Sequence, residues 1–584
     1  MLMTNFLRMV DKLTVSMNKD QLIGFIHNEA RILNENERDE FLTRLNEFAN
    51  PSAEKITTPT PEKVPDEMIG NLSSLYEKLD LIKSGEVVLT SEYNEEYDDW
   101  YNDEADIYVY HDPEHIADTI LSACQMLHRL TDWKKYDEAL KLSRTLLELG
   151  IEVEHEEGDD ETFTFGDLFD HELISADYEK IVLDMLYAAY MALPLSECTE
   201  TVYDFIELSE CRNINLEKLM QHSTRELPHI PEFLDSWIEY LCEQSGDLAE
   251  TLLREAVMMI ADNEKLVRYA EKYSATHPCI YDALLEKNPF DDTKEAVQVG
   301  IKALEIIPAQ YTVRSNIALA TAEYALTSND TERAEHCWLE TFRSDPTAAN
   351  LLRLMTMHSH FADTEQEVRA IISSDNKQPQ QSDYVFGRAK ELGSHYLSKE
   401  DKYRLLFLLG DYMDILRQGM KPQKELGWSG TFLKCGIPLF FLLMYNHTYL
   451  DKAMMTMCKT AMGYMSFRAE DYCRGTQLNP PDNSDEALFW KLFRQTRCPE
   501  KPSDEEQKKI MERLADLTDL RTNLIVYGTR RKYYDECAAY IAALGEVKES
   551  HGEAGAKQFI LSFYKTQYPR HSAFIRELQN FGLK

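Results

Sequence analysis

His111 and His115 stand four residues apart, a spacing that on one helical face would aim two imidazoles at a common metal ion. The residues between them oppose that use. Asp112 is a good helix N-cap and Pro113 a good first helical residue, so His111 is expected just outside the helix that His115 enters. Upstream, Asp98-Asp99-Trp100-Tyr101-Asn102-Asp103 is rich in oxygen ligands but lacks the alternation and sixth-position glycine of a calcium loop. Pro481-Asp482, Glu486 and Lys491 come in a loosely nuclease-like order, without the one-residue separation of acid and lysine that such a site needs. Cys435, beside Gly436 in an apolar stretch, reads as a packed thiol rather than a nucleophile. Phosphate-loop, dinucleotide, zinc-protease and nucleophile-elbow patterns do not occur. No catalytic residue, metal ligand or cofactor site is assigned, and a non-catalytic protein is expected.

The feature that remains is a surface. Residues 91–115 contain ten carboxylates, five tyrosines and Trp100, with no lysine or arginine. Rings of this kind can be buried while the carboxylates stay in water, which suits contact with a protein. Tyr97, Asp98, Asp99, Trp100, Tyr101, Asp103 and Glu104 are the expected partner-binding residues. A second acidic run, EVEHEEGDDETFTFGDLFDHE (152–172), falls between two predicted helices. It is expected to be a solvated insertion folding back on its own chain, with Phe163, Phe165, Leu168 and Phe169 packing in its second half. The whole chain of 584 residues carries a formal charge of −40. From Ser91 to Lys180 there are 27 acidic and 6 basic residues, a net −21, whereas residues 494–584 carry 16 basic and 13 acidic residues, a net +3. Such a balance disfavours direct binding to nucleic acid or to an anionic membrane and favours a basic protein or peptide partner.

These residues must be positioned by helices. Gly and Pro are scarce, at 22 and 20, and apolar residues recur at helical spacing almost throughout. Residues 18–48 read as a helical pair, and PSAEKITTPTPEKVPDEM (51–68) as a linker. Ile116, Ile120, Cys124, Leu127 and Leu130 mark one face of the helix expected to begin at Pro113. GIPLFFLLMY (436–445) is too short to cross a bilayer and reads as a buried core helix. The 11 cysteines contain no C-x-x-C pair and read as reduced thiols of a cytoplasmic protein.

A weak repeat organises the middle of the chain. Ala296, Gly300, Ala303 and Pro308 recur 38 residues later as Ala334, Trp338, Thr341 and Pro346. Ala249, Leu253 and Ala256 fit the same offsets, as do Ala139, Ser143 and Leu146, and Ala538, Ala542 and Gly545. Small residues at the outer positions let two helices approach closely, and the proline stops the second helix. The pattern resembles the second helix of the tetratricopeptide repeat. The C-terminal segment from Arg530 onward, three short helices by its pattern, is faintly similar to helical regions of bacterial proteins that carry a SWIM zinc finger, without that finger's zinc motif. The resemblance to tetratricopeptide repeats implies an all-α fold, a degenerate α-solenoid of helix pairs behind a small N-terminal helical unit. The expected divisions are 1–50, 51–68, 69–111 (a helix and the acidic aromatic segment), 112–375, 376–475, a loop at 476–487, and 488–584. Solenoids present long concave surfaces to peptides and proteins. The expected function is an interaction scaffold or adaptor that meets a basic partner through its acidic N-terminal third. An acidic mimic of nucleic acid, or an enzyme whose site gathers residues distant in sequence, stays open as an alternative.

Overall fold

A computed structural model describes residues 66–93, 108–155, 161–211, 213–222, 227–290, 292–309, 311–374, 397–422, 427–428, 431–481, 485–497 and 502–584. Twenty-six α-helices, one short 3-10 helix and four short strands account for their regular structure. The all-α expectation therefore holds for most of the described chain, with one exception that bears on function. The expected helical pair at 18–48 lies outside the described residues. The helix after it spans Asp66–Lys83 and so begins inside the expected linker at 51–68. The chain divides into two compact units, the first ending at Lys135 and resuming for Leu149–Ile174, the second made of the rest.

In the first unit, β1 (Leu89–Tyr93), β2 (Tyr108–His111), β3 (Ile151–His155) and β4 (Glu161–Phe163) form one sheet in the order β2-β1-β3-β4. β2 is antiparallel to β1, β3 is parallel to β1, and β4 is antiparallel to β3. The run 152–172 falls between the helices Tyr136–Leu147 and Tyr178–Ala192 and folds back on itself, but as a β-hairpin followed by the single-turn helix Asp167–Asp170. Its sequence carries the reason. Ile151 and Val153 are buried while Glu152 and Glu154 are exposed, the period of two that a half-buried strand requires. Phe163, Phe165 and Leu168 are buried as expected.

The helix after β2 spans Ile116–Asp132, three residues later than the Asp112-Pro113 signal implied. His115, in the left-handed conformation at φ 57°, turns the chain into the helix. Asp112 still caps it, but from further back: its two carboxylate oxygens accept the N–H groups of Ile116 and Ala117, each at 2.8 Å. Ile116, Ile120, Cys124, Leu127 and Leu130 form the buried face that the spacing predicted.

The regular elements among the second unit's described residues are helices. Thr293–Ile306, Val313–Thr327, Thr331–Ser344 and Ala348–Met357 follow one another through short turns, each packed on the next or next but one. Gly300 is where the first two touch most closely: a Cβ on it would lie 1.9 Å from Thr321 Oγ1. Three of these helices also grip a distant stretch of chain. Glu323 accepts the Gly475 N–H (2.8 Å) and Trp338 Nε1 donates to the Gly475 carbonyl (2.7 Å). Arg353 donates to the carbonyls of Asp471 and Tyr472. Every residue of the helix Leu433–Met444 is buried, as the apolar run at 436–445 predicted. Each of its Leu, Ile and Phe side chains contributes about 1.5–3 kcal/mol by leaving water. At the C-terminal end, Tyr534–Ser550, Ala556–Gln567 and Ser572–Asn580 are the three expected helices.

Candidate functional site

The sheet of the first unit brings polar side chains together at one edge. β1 and β3 are parallel, with Ser91 beside His155 in register, so both strands end at the same edge. β2 and β4 begin there, Tyr108 opposite Tyr93 and Glu161 opposite Val153. Residues 94–107 join β1 to β2 in the sequence and residues 156–160 join β3 to β4, and both segments lie outside the described residues. The first stretch contains seven carboxylates and the second four, with no lysine or arginine in either. Tyr97, Asp98, Asp99, Trp100, Tyr101, Asp103 and Glu104 belong to the first stretch and lie outside the described residues. What the fold establishes is the placement of their stems.

Near that edge runs a chain of polar contacts. Ser91 Oγ lies 2.5 Å from His155 Nδ1, His155 Nε2 lies 3.4 Å from Glu161 Oε2, and the Tyr110 hydroxyl donates to the same oxygen at 3.3 Å. The Tyr108 ring rests 4.7 Å from the His155 ring. Tyr110 packs against Phe163 and His171, which stack on each other with ring centroids 4.8 Å apart. Burial, and next the charge of Glu161, push the Tyr110 phenol up to about 12, so it stays a donor at any physiological pH. Glu92 faces His111 at 3.6 Å and is 66% exposed, and Glu161 is 48% exposed. The carboxylates at this edge therefore meet solvent while the hydroxyl and imidazole groups lie below them.

Hydroxyl, imidazole and carboxylate in sequence is the arrangement by which a histidine activates a serine for attack on an acyl carbon. Here the geometry serves a different end. Ser91 is 1% exposed and sits inside a strand paired on both sides, so a substrate carbonyl cannot approach its oxygen. The network ties β1, β3, β4 and, through Tyr110, β2 into one rigid edge. Sequence reasoning passed over Ser91, His155, Glu161 and Tyr110 because they are spread over 71 positions, from 91 to 161 inclusive. The alternation in Ile151-Glu152-Val153-Glu154 was the signal that could have found the strands holding them.

The other sequence candidates do not assemble. His111 lies in β2 beside Glu92, whereas His115 pairs with Asp118 at 3.1 Å on the following helix. Glu486 pairs with Lys459, and Asp482 lies outside the described residues. Cys435 is fully buried and its thiol is pushed up to about 12 by burial. Among the described residues no group of three or more His, Cys, Asp or Glu could hold a metal ion, and no helix is long and apolar enough to cross a membrane. Comparison with family models, with curated proteins and with solved structures finds no match.

Proposed function

We propose that this protein is a non-catalytic interaction scaffold, its helix pairs a degenerate tetratricopeptide-like solenoid, that engages a basic protein segment through the acidic edge of its N-terminal sheet. The observation that carries this reading is the strand register, which plants the stems of both acidic stretches at one edge. The two stretches carry eleven carboxylates and no cation, and a lysine- or arginine-rich partner supplies the opposite charge as it binds. The interleaved tyrosines and Trp100 supply apolar contact area, which a pure mimic of nucleic acid would not need.

The test is binding of a fluorescently labelled oligolysine peptide to the full chain. Deleting residues 91–110 would remove most of β1 and β2, so charge neutralisation is the cleaner change. Asp98→Asn, Asp99→Asn, Asp103→Asn and Glu104→Gln together should weaken binding by roughly tenfold or more and flatten its salt dependence. Unchanged affinity and unchanged salt response in that variant would sink the proposal. The Ser91–His155–Glu161 chain also gives acyl transfer a test: a fluorophosphonate should leave the native protein unlabelled, and stoichiometric labelling of Ser91 would show that the protein is an enzyme.

A further inference from the structure

The second unit contains a cleft of about 750 Å³ whose chemistry is opposite to that of the acidic edge. One wall is the loop after the helix Leu433–Met444, and the other is the helix Asp485–Thr496. The loop is held firmly. Trp490 Nε1 donates to the Thr448 carbonyl at 2.8 Å, and Arg497 donates to the carbonyls of Leu442 and Tyr445, each at 2.7 Å. The Tyr445 hydroxyl donates to Asp451 Oδ2 at 2.7 Å and accepts the Asp451 N–H at 3.2 Å, which pins both ends of the loop together. Tyr449 at its tip is nevertheless 61% exposed, with its ring stacked on His447 at 5.0 Å. Leu450, Met455 and Trp490 give the cleft an apolar floor.

Lys491 and Arg494, one helical turn apart, supply its charge. Neither has an ion-pair partner among the described residues, although Arg494 lies 5.9 Å from the Trp490 ring centroid. Among the described residues no carboxylate lines the cleft, in a chain whose acidic residues outnumber its basic ones by 102 to 62. A preformed aromatic and aliphatic cleft with two unpaired cations has a definite complement.

We infer that this cleft docks an acidic peptide segment of a protein partner. One apolar side chain of that segment lies against Leu450, Met455 and Trp490, and its carboxylates meet Lys491 and Arg494. A peptide fits better than a nucleic acid. Two cations replace few counterions, and a polyanion extending past the cleft meets the field of a chain at −40. A short acidic segment stays within a Debye length of the cations that hold it. This surface is independent of the acidic edge and takes the opposite charge.

Fluorescence anisotropy with three labelled peptides tests it on the full chain: glutamates around a central phenylalanine, the same peptide with glutamine for glutamate, and the same with alanine for phenylalanine. The first should bind, and the other two should bind roughly tenfold more weakly. Lys491→Ala with Arg494→Ala, and separately Tyr449→Ala, should each weaken the first peptide by roughly tenfold or more. These side chains are exposed or half-buried, so circular dichroism should show the native helix content in each variant. Equal affinity for the glutamine peptide, unchanged affinity in both variants, or no binding of the first peptide would overturn the assignment. Tighter binding of a short single-stranded oligonucleotide, lost with Lys491 and Arg494, would overturn it in favour of nucleic acid.

Discussion

Arg353 is a buried guanidinium that makes no ion pair among the described residues. Its Nε donates to the Tyr472 carbonyl (3.0 Å), Nη1 to Asn350 Oδ1 (2.7 Å) and Nη2 to the Asp471 carbonyl. Those two carbonyls belong to the last turn of the helix Ala469–Cys473, where the backbone carries partial negative charge, so a cation is the group to place there. Burial draws its pKa down to about 10, which still leaves it charged at neutral pH. Arg353→Met should cost about 1–3 kcal/mol for each carbonyl left without a donor, read from urea unfolding. Lysine should not restore the loss, because one ammonium cannot reproduce the planar fork. His277 gives a pH prediction. It is buried, and desolvation lowers its pKa below the ordinary value of 6.5, partly opposed by its bond to the Cys242 carbonyl. A base whose folded pKa is depressed stabilises the fold above its unfolded pKa and loses that contribution as pH falls through the folded value. Stability should therefore fall as the solution is acidified below about pH 6.5. His277→Gln should make the pH dependence of the melting temperature shallower in that window.

The repeat signal was a statement about helix contacts, and Gly300 is where it can be checked. The missing Cβ lets the helix Thr293–Ile306 settle on Thr321 of its neighbour. Gly300→Ala should destabilise by about 1–3 kcal/mol through overpacking, and a second change, Thr321→Ala, should recover part of that loss. A double-mutant cycle in urea with no coupling between the two sites would mean that the contact is not formed. Gly545 is a sterner case, since its added Cβ would lie 2.3 Å from the Lys557 backbone Cα, which has no rotamer to change. Helices of this kind were legible because their apolar positions recur in a single segment and their small residues mark the contacts. The sheet was less legible. Its strands are three to five residues long, too short to build a strong periodic signal, and they are surrounded by acidic residues that read as loop. Asp112 misled by two routes at once, since it does cap the helix, but from outside an extra turn that His115 makes in the left-handed region.

Over the whole molecule, charge is the dominant property, and −40 on 584 residues opposes compaction. Raising sodium chloride from low concentration to physiological ionic strength should raise the midpoint of thermal unfolding by a few degrees, as the Debye length shrinks from about 30 to 8 Å. A midpoint that falls with salt would mean that attractive pairs outweigh the net repulsion. The sequence made the acidity of these stretches plain, but only the strand register shows that Tyr93 and His155 end neighbouring parallel strands while Tyr108 and Glu161 begin their antiparallel partners. The cationic cleft left no trace in the sequence, because Tyr449 lies in a loop and Lys491 in a helix some forty residues later.

The grip of Glu323, Trp338 and Arg353 on Asp471–Gly475 has a consequence for the ribosome. Arg353 leaves the exit tunnel 118 residues before the Asp471 carbonyl that it holds. At about 5–20 residues per second, that is roughly 6–24 s during which these helices stand complete yet lack the strap that closes them. For that interval the nascent chain displays an unfilled seat, with Trp338 and the Arg353 guanidinium open to water until residues 471–475 cover them.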